Sequence, residues 1–174
     1  FSEFHPRISN LVSEGNFDHG VYVSDSGNVE LSSVHTSGNG IGSSDGAGIY
    51  FSGSNYVSSG GKNVSCNSCT SDGDQRGVVV RDSIDLQLIS TTITSAIEEP
   101  ALDIDNSGTI FPGYVILDDL AINSDSSNYT VLLNEVDAQI DGLDLSGQGG
   151  MLWVANGDLP SIFSNSVIHD SDSH

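Results

Sequence analysis

Gly20-Val-Tyr-Val23, Ser24-Asp-Ser-Gly-Asn28, Val29-Glu-Leu-Ser-Ser-Val34 and His35-Thr-Ser-Gly-Asn-Gly40 follow one another without a break. Alternation in Val21-Tyr22-Val23 points two apolar side chains one way and Tyr22 the other, the period of a strand. Gly, Asn and Ser crowd both flanks, and each favours a turn. The stretch therefore reads as two short strands joined by tight turns, with no room for a helix.

Versions of the unit return down the chain. One inward column is Val23, Phe51, Val80, Ile104, Leu133 and Val154, preceded two residues earlier by Val21, Ile49, Val78, Leu102, Val131 and Leu152. A second column is Leu11, Val34, Val64, Ile93, Ile122, Leu145 and Ile168, with Leu88, Leu117, Ile140 and Phe163 extending that strand upstream. Recurrence every 20–30 residues or so is the mark of a solenoid. Apolar spacing of two and Gly/Ser/Asn/Asp junctions disfavour helical repeats and predict a parallel β-helix of about seven coils, stacked at ~4.8 Å. The domain is expected over residues 11–170, with 1–10 as a lead-in and 171–174 as a polar tail. Phe1 stands where an initiator Met would, as expected of a processed or excised segment. Open coil ends leave backbone groups unpaired, so more chain or a partner is expected to cover them.

The phrase Gly20–Val34, with its echoes Gly48-Ile-Tyr-Phe51 and Gly77-Val-Val-Val80, resembles the repeat of the right-handed parallel β-helix, pectin-lyase-like superfamily. That resemblance covers nearly the whole chain and implies the fold, not an activity. Pectate lyases of this fold use an arginine above carboxylate-bound calcium, and this chain has only Arg7, Arg76 and Arg81. Polygalacturonases carry Asn-Thr-Asp, Asp-Asp and His-Gly in a set order. Here Asp118-Asp119 matches one element, and His19-Gly20 precedes it instead of following. The enzymatic pattern is not met. Tailspikes of the fold are commonly trimers, so the resemblance also implies side-by-side homo-oligomers.

The charge is lopsided: Lys and Arg total 4, Asp and Glu total 24, and the formal net charge is −20 over 174 residues. Disorder would be one outcome of such self-repulsion, but regularly spaced apolar residues argue for a core. The composition resembles that of halophilic archaeal proteins, where a ~3 Å screening length at 1 M salt removes most of the repulsion. Nucleic-acid binding is excluded for want of a basic cluster. No apolar run is long enough for a helix to cross a bilayer, so no membrane insertion is expected.

Outward residues carry the functional candidates. Tyr22, Tyr50, Val79, Asp103, Leu132 and Trp153 lie between the paired inward residues of the first strand. All but Asp103 are apolar or aromatic. Tyr22, Tyr50, Val79, Leu132 and Trp153 are accordingly candidates for a subunit contact, a sugar platform, or a face under the chain's own loops. Asp118 and Asp141 fall on adjacent coils, roughly 5 Å apart at the backbone, and are the catalytic pair if the chain is an enzyme. With so many aspartates, chance stacking explains them as well. Asp103-Ile-Asp105-Asn-Ser-Gly108 opens like a calcium loop but ends on Tyr114 where a Glu is needed. No cofactor is expected, with calcium at Asp103 and Asp105 as an option and an adventitious cation at Asp118 and Asp141 as another reading of that pair.

Asn63-Val-Ser65 and Asn128-Tyr-Thr130 satisfy the glycosylation sequon and permit an exterior location. Cys66 and Cys69, in an apparent polar loop, suit a small disulfide or two thiols. The five histidines show no ligand spacing and are expected at the solvated surface. Together these features predict a structural or attachment module on a virion or cell surface, such as a spike of a halophilic virus. Its expected partners are copies of itself, as in a trimer, other virion or cell-surface proteins, or a surface glycan. The alternatives are a secreted polysaccharide lyase or glycoside hydrolase using Asp118 and Asp141, and a non-catalytic carbohydrate-binding domain.

Overall fold

The computed structural model describes residues 6–24, 28–53, 63–82, 85–94, 96–97, 100–107, 114–124, 129–147, 149–155, 157 and 159–169. These form a parallel β-helix with three sheets and no helix. Sheet I stacks Arg7–Ser9, Val29–Ser32, Asn63–Asn67, Asp85–Ile89, Tyr114–Asp118, Asp137–Asp141 and Ile162–Ser164. Sheet II stacks Val12–Glu14, His35–Ser37, Thr70–Asp72, Thr92–Thr94, Ala121–Asn123, Asp144–Ser146 and Val167–His169. Sheet III stacks His19–Ser24, Ala47–Ser52, Val78–Arg81, Leu102–Asp105, Tyr129–Asn134 and Gly150–Val154. The first strand already lies in the stretch read as a lead-in.

The first six coils therefore have three strands each, not the two read from sequence, and the seventh has two among the described residues. What looked like one long second strand is a strand of sheet I, a sharp corner and a strand of sheet II. The corner residue adopts positive φ in every coil: Asn10 (54°), Ser33 (52°), Ser68 (54°), Ser90 (47°), Asp119 (54°), Gly142 (68°) and Asn165 (48°). That conformation is unfavourable for most L-residues and best tolerated by Gly, Asn and Asp, so serine bears strain here. The corner nonetheless continues the ladder, because Ser33 N donates to Asn67 O at 3.0 Å and Asp119 N to Asp141 O at 2.9 Å.

Two columns need correcting in consequence. Val64 belongs to sheet I, between Val29 and Leu86. The inward rung of sheet II is Ser13, Thr36, Ser71, Ile93, Ile122, Leu145 and Ile168, so Ile93 stacks between Ser71 and Ile122. Leu11 and Val34 sit at the corner beside that rung, where Leu11 O accepts from His35 N at 2.8 Å and Val34 O from Thr70 N at 2.8 Å. The rest of the core, including Phe51, Val80, Ile104 and Leu133, is buried as the alternation requires.

The first column holds until its last coil. A register shift between Tyr129 and Val131 pairs Leu132 with Leu152 and Leu133 with Trp153. A one-residue slip exchanges the two faces of a strand. Trp153 is thus in line with the core, packs against it, and donates from Nε1 to Val136 O at 2.8 Å. Leu152 stands in the outward position instead.

Cys66 and Cys69 form a disulfide, their Cα atoms 5.9 Å apart. They do not lie in a polar loop. Cys66 stacks in sheet I between Leu31 and Leu88, and the bond spans the Ser68 corner inside the core. The outermost rungs are exposed, Phe163 at 44% and Ile168 at 50%.

Candidate functional site

On sheet II the inward rung of the first three coils is polar, Ser13, Thr36 and Ser71, where that of later coils is aliphatic. Asp74, fully buried, accepts four hydrogen bonds: Thr36 Oγ1 at 2.7 Å, Ser71 Oγ at 2.6 Å, Asn39 N at 2.7 Å and Asn39 Nδ2 at 2.9 Å. Asn39 Oδ1 in turn accepts from Asn16 N at 3.0 Å and Asn16 Nδ2 at 2.8 Å. A buried carboxylate is tolerable only when its lone pairs are satisfied in this way. Gly48 makes room for it, since a Cβ there would lie 2.2 Å from Asp74 Oδ2.

The network fixes the start of the segment 39–46. Gly40 (φ 74°) packs its backbone directly on Gly46, where a Cβ on Gly46 would meet Gly40 Cα at 2.3 Å. Gly40 N donates to Asn16 O, and Ser43 N to Gly40 O, at 2.8 and 2.9 Å. The loop so pinned carries Ser43 and Asp45 beside the start of sheet III.

There they meet Asp18, His19, Tyr22 and Tyr50 around an open cleft of about 610 Å³. The His19 ring stacks on Tyr22 at a centroid distance of 5.3 Å and 11° between planes, and lies 4.5 Å from the Tyr50 ring. Tyr22 and Tyr50, cross-strand partners, are 5.6 Å apart. Ser43 Oγ donates to Asp18 Oδ1 at 3.0 Å, and His19 Nε2 lies 3.6 Å from the same oxygen. Burial pushes the His19 pKa below the ordinary imidazole value, against the opposing pull of Asp18 and Asp45. Burial likewise raises Tyr50 above the usual phenol value. At neutral pH both shifts favour an uncharged imidazole at His19 and an uncharged phenol at Tyr50.

Of the expected aromatic face, the structure brings together Tyr22 and Tyr50. Tyr22 is 55% exposed, Val79 is fully buried and Leu132 is half-buried. Asp103, next in the column, is buried under Arg81 and Arg76, the latter with Nη1 3.8 Å from Asp103 Oδ2. Burial alone would lower the Arg81 pKa, but the hydrogen bond to Asp103 and its charge outweigh burial and raise it. Guanidinium groups thus stand at Asp103 where the calcium option would place an ion. Asp105 Oδ1 accepts from Ser107 N at 2.9 Å and Asn134 Nδ2 at 3.1 Å. Among the described residues, no group of three or more His, Cys, Asp or Glu is placed to hold a metal ion.

Asp118 and Asp141 are cross-strand partners, as the spacing required. Asp118 is exposed, and Asp141 Oδ1 accepts from Ser164 Oγ at 3.0 Å and Asn165 Nδ2 at 2.7 Å. Nearby, His169 Nε2 lies 2.9 Å from Asp144 Oδ1. Asn63 lies on a strand of sheet I, its side chain outside the described set, and Asn128 is outside the described residues.

Sequence reading missed four cleft residues: Asp18, His19, Ser43 and Asp45. His19 was expected in solvent, yet its side chain is only 12% exposed. Its offset of three from Tyr22 does not match the strand period of two, so alternation gives no sign that the rings stack. Among the described residues no helix is long and apolar enough to cross a membrane. No family model, curated protein or solved structure matches the chain.

Proposed function

We propose that this chain is a non-catalytic attachment module displayed on a virion or cell surface. The β-helix serves as a rigid rod, and the cleft at Tyr22 and Tyr50 serves as its contact with a surface glycan. One observation carries the reading: a preformed concavity walled by aromatic rings and edged by carboxylates and a hydroxyl. Rings stack on the apolar faces of sugars, while polar groups at the rim accept or donate hydroxyl hydrogen bonds. Kinship with the pectin-lyase-like superfamily and a trimeric assembly belong to the same proposal and rest on the repeat phrase. A high-salt setting rests on the −20 charge; melts across a salt series should show the midpoint rising with salt.

Glycan-array binding at high salt tests the main reading. Tyr22→Ala and Tyr50→Ala should each weaken the bound glycan by roughly tenfold or more, about 1.4 kcal/mol. Unchanged binding in both variants would remove the cleft from the proposal. A second reading, polysaccharide cleavage, is favoured by the register of Asp118 with Asp141. It requires activity that disappears in Asp118→Asn and Asp141→Asn.

A further inference from the structure

We infer that the cleft selects a positively charged organic ligand, and specifically an ammonium-bearing sugar of a surface glycan. This rests on the reading of the cleft as a glycan contact and adds the charge of what it holds. Three rings converge there within 4.5–5.6 Å of one another, His19 packed beneath and Tyr22 the most exposed, so the tyrosines supply the electron-rich π surface. Cations are drawn to such faces, most strongly when partly desolvated. Asp18 and Asp45 line the same cleft and place two carboxyl groups beside the rings. The imidazole of His19 does not compete as a cation at neutral pH, because burial lowers its pKa.

The arginines of this region are already committed. Arg81 pairs with Asp103 and feels Asp105, while Arg76 faces Asp103 and donates from Nη2 to Ser44 O at 3.4 Å. Both guanidinium groups are held at Asp103, although the charge of Arg81 also reaches Tyr50, while Asp45 in the cleft is exposed.

A metal ion fits the site less well than an organic cation. Hard cations need several oxygen ligands in a closed shell, and among the described residues no group of three or more His, Cys, Asp or Glu is placed to form one. An ammonium group carried on a sugar ring uses both surfaces at once: its charge meets Asp18 or Asp45 while the C–H face of the ring lies on Tyr22 or Tyr50. The cleft, about 610 Å³, is large enough for a monosaccharide unit.

The test is a titration of the whole chain at constant ionic strength with tetramethylammonium, glucosamine, N-acetylglucosamine and glucose, followed by the Tyr22 and Tyr50 ring resonances. Tetramethylammonium and glucosamine should bind at least tenfold more tightly than the two neutral sugars. Asp45→Asn and Asp18→Asn should erase that preference while leaving the melting midpoint close to the parent's. If the neutral sugars bind as tightly as glucosamine, the charge preference is overturned and the glycan contact stands. If tetramethylammonium binds and no sugar does, cation selection stands and the glycan reading falls. Should none of the four bind, both are overturned.

Discussion

Replacing Asp74 by Ala should unfasten the first three coils. The substitution leaves four donors without their acceptor in the interior: Thr36 Oγ1, Ser71 Oγ, Asn39 N and Asn39 Nδ2. Hydrogen bonds to a charged group contribute about 1.5–3 kcal/mol each, so the gross loss approaches ~10 kcal/mol. Most of this is offset. Removing a buried carboxylate returns a desolvation penalty of several kcal/mol, and the hydroxyls can turn to other acceptors, as Thr36 Oγ1 can toward Thr70 O, 3.4 Å away. A net loss of about 3–4 kcal/mol is expected, a large part of a typical 5–15 kcal/mol total. For a chain of this size that lowers the melting midpoint by roughly 10 °C. Asp74→Asn keeps one acceptor oxygen for Asn39 and should lose about 1–2 kcal/mol. Because a solenoid couples neighbouring coils only, hydrogen exchange should accelerate first at Gly40 and Gln75, whose amides donate to Asn16 O and Asn39 O. An Ala variant melting within about 1 °C of the parent would refute the account, as would loss of protection spread evenly over all coils.

Other perturbations follow from placement. Ile93 is fully buried between Ser71 and Ile122, so Ile93→Asp should destabilise by more than about 4 kcal/mol, read as loss of a cooperative urea transition. Trp153→Ala should lower stability by about 2–3 kcal/mol through lost packing and the lost bond to Val136 O, measured by thermal melt; an unchanged midpoint would return Trp153 to the outward face. Burial holds His19 below its unfolded value of 6.5, so the unfolded chain takes up that proton first and folding loses stability as pH falls below about 6.5. Between pH 7 and 5, His19→Gln should show a smaller drop in midpoint than the parent, and identical slopes would contradict this.

Much of the architecture was legible in residues such as Val21, Val23, Ile49 and Phe51, because alternation and recurrence are local properties that only a parallel β-solenoid satisfies together. The disulfide was legible as an option in Cys66-Asn-Ser-Cys69. The third sheet was not. Short strands joined through a single αL residue leave no turn signal longer than a strand's own pleat, so Val64 and Ile93 looked like one column. Trp153 was misassigned because the irregularity near Thr130 shifts register by one, and one residue suffices to exchange core for surface.

The cleft lay further still from the sequence. Its groups come from separate parts of two coils: Asp18, His19 and Tyr22 from one, Ser43, Asp45 and Tyr50 from the connection and strand that follow. A carboxylate a coil further on, Asp74, sets the position of the loop between them. Sequence determined which way Tyr22 and Tyr50 point, since strand alternation is fixed by backbone geometry. Tertiary structure alone decided that His19 joins them and that Asp45 faces them, because those contacts depend on how a nine-residue connection closes over a buried hydrogen-bond network.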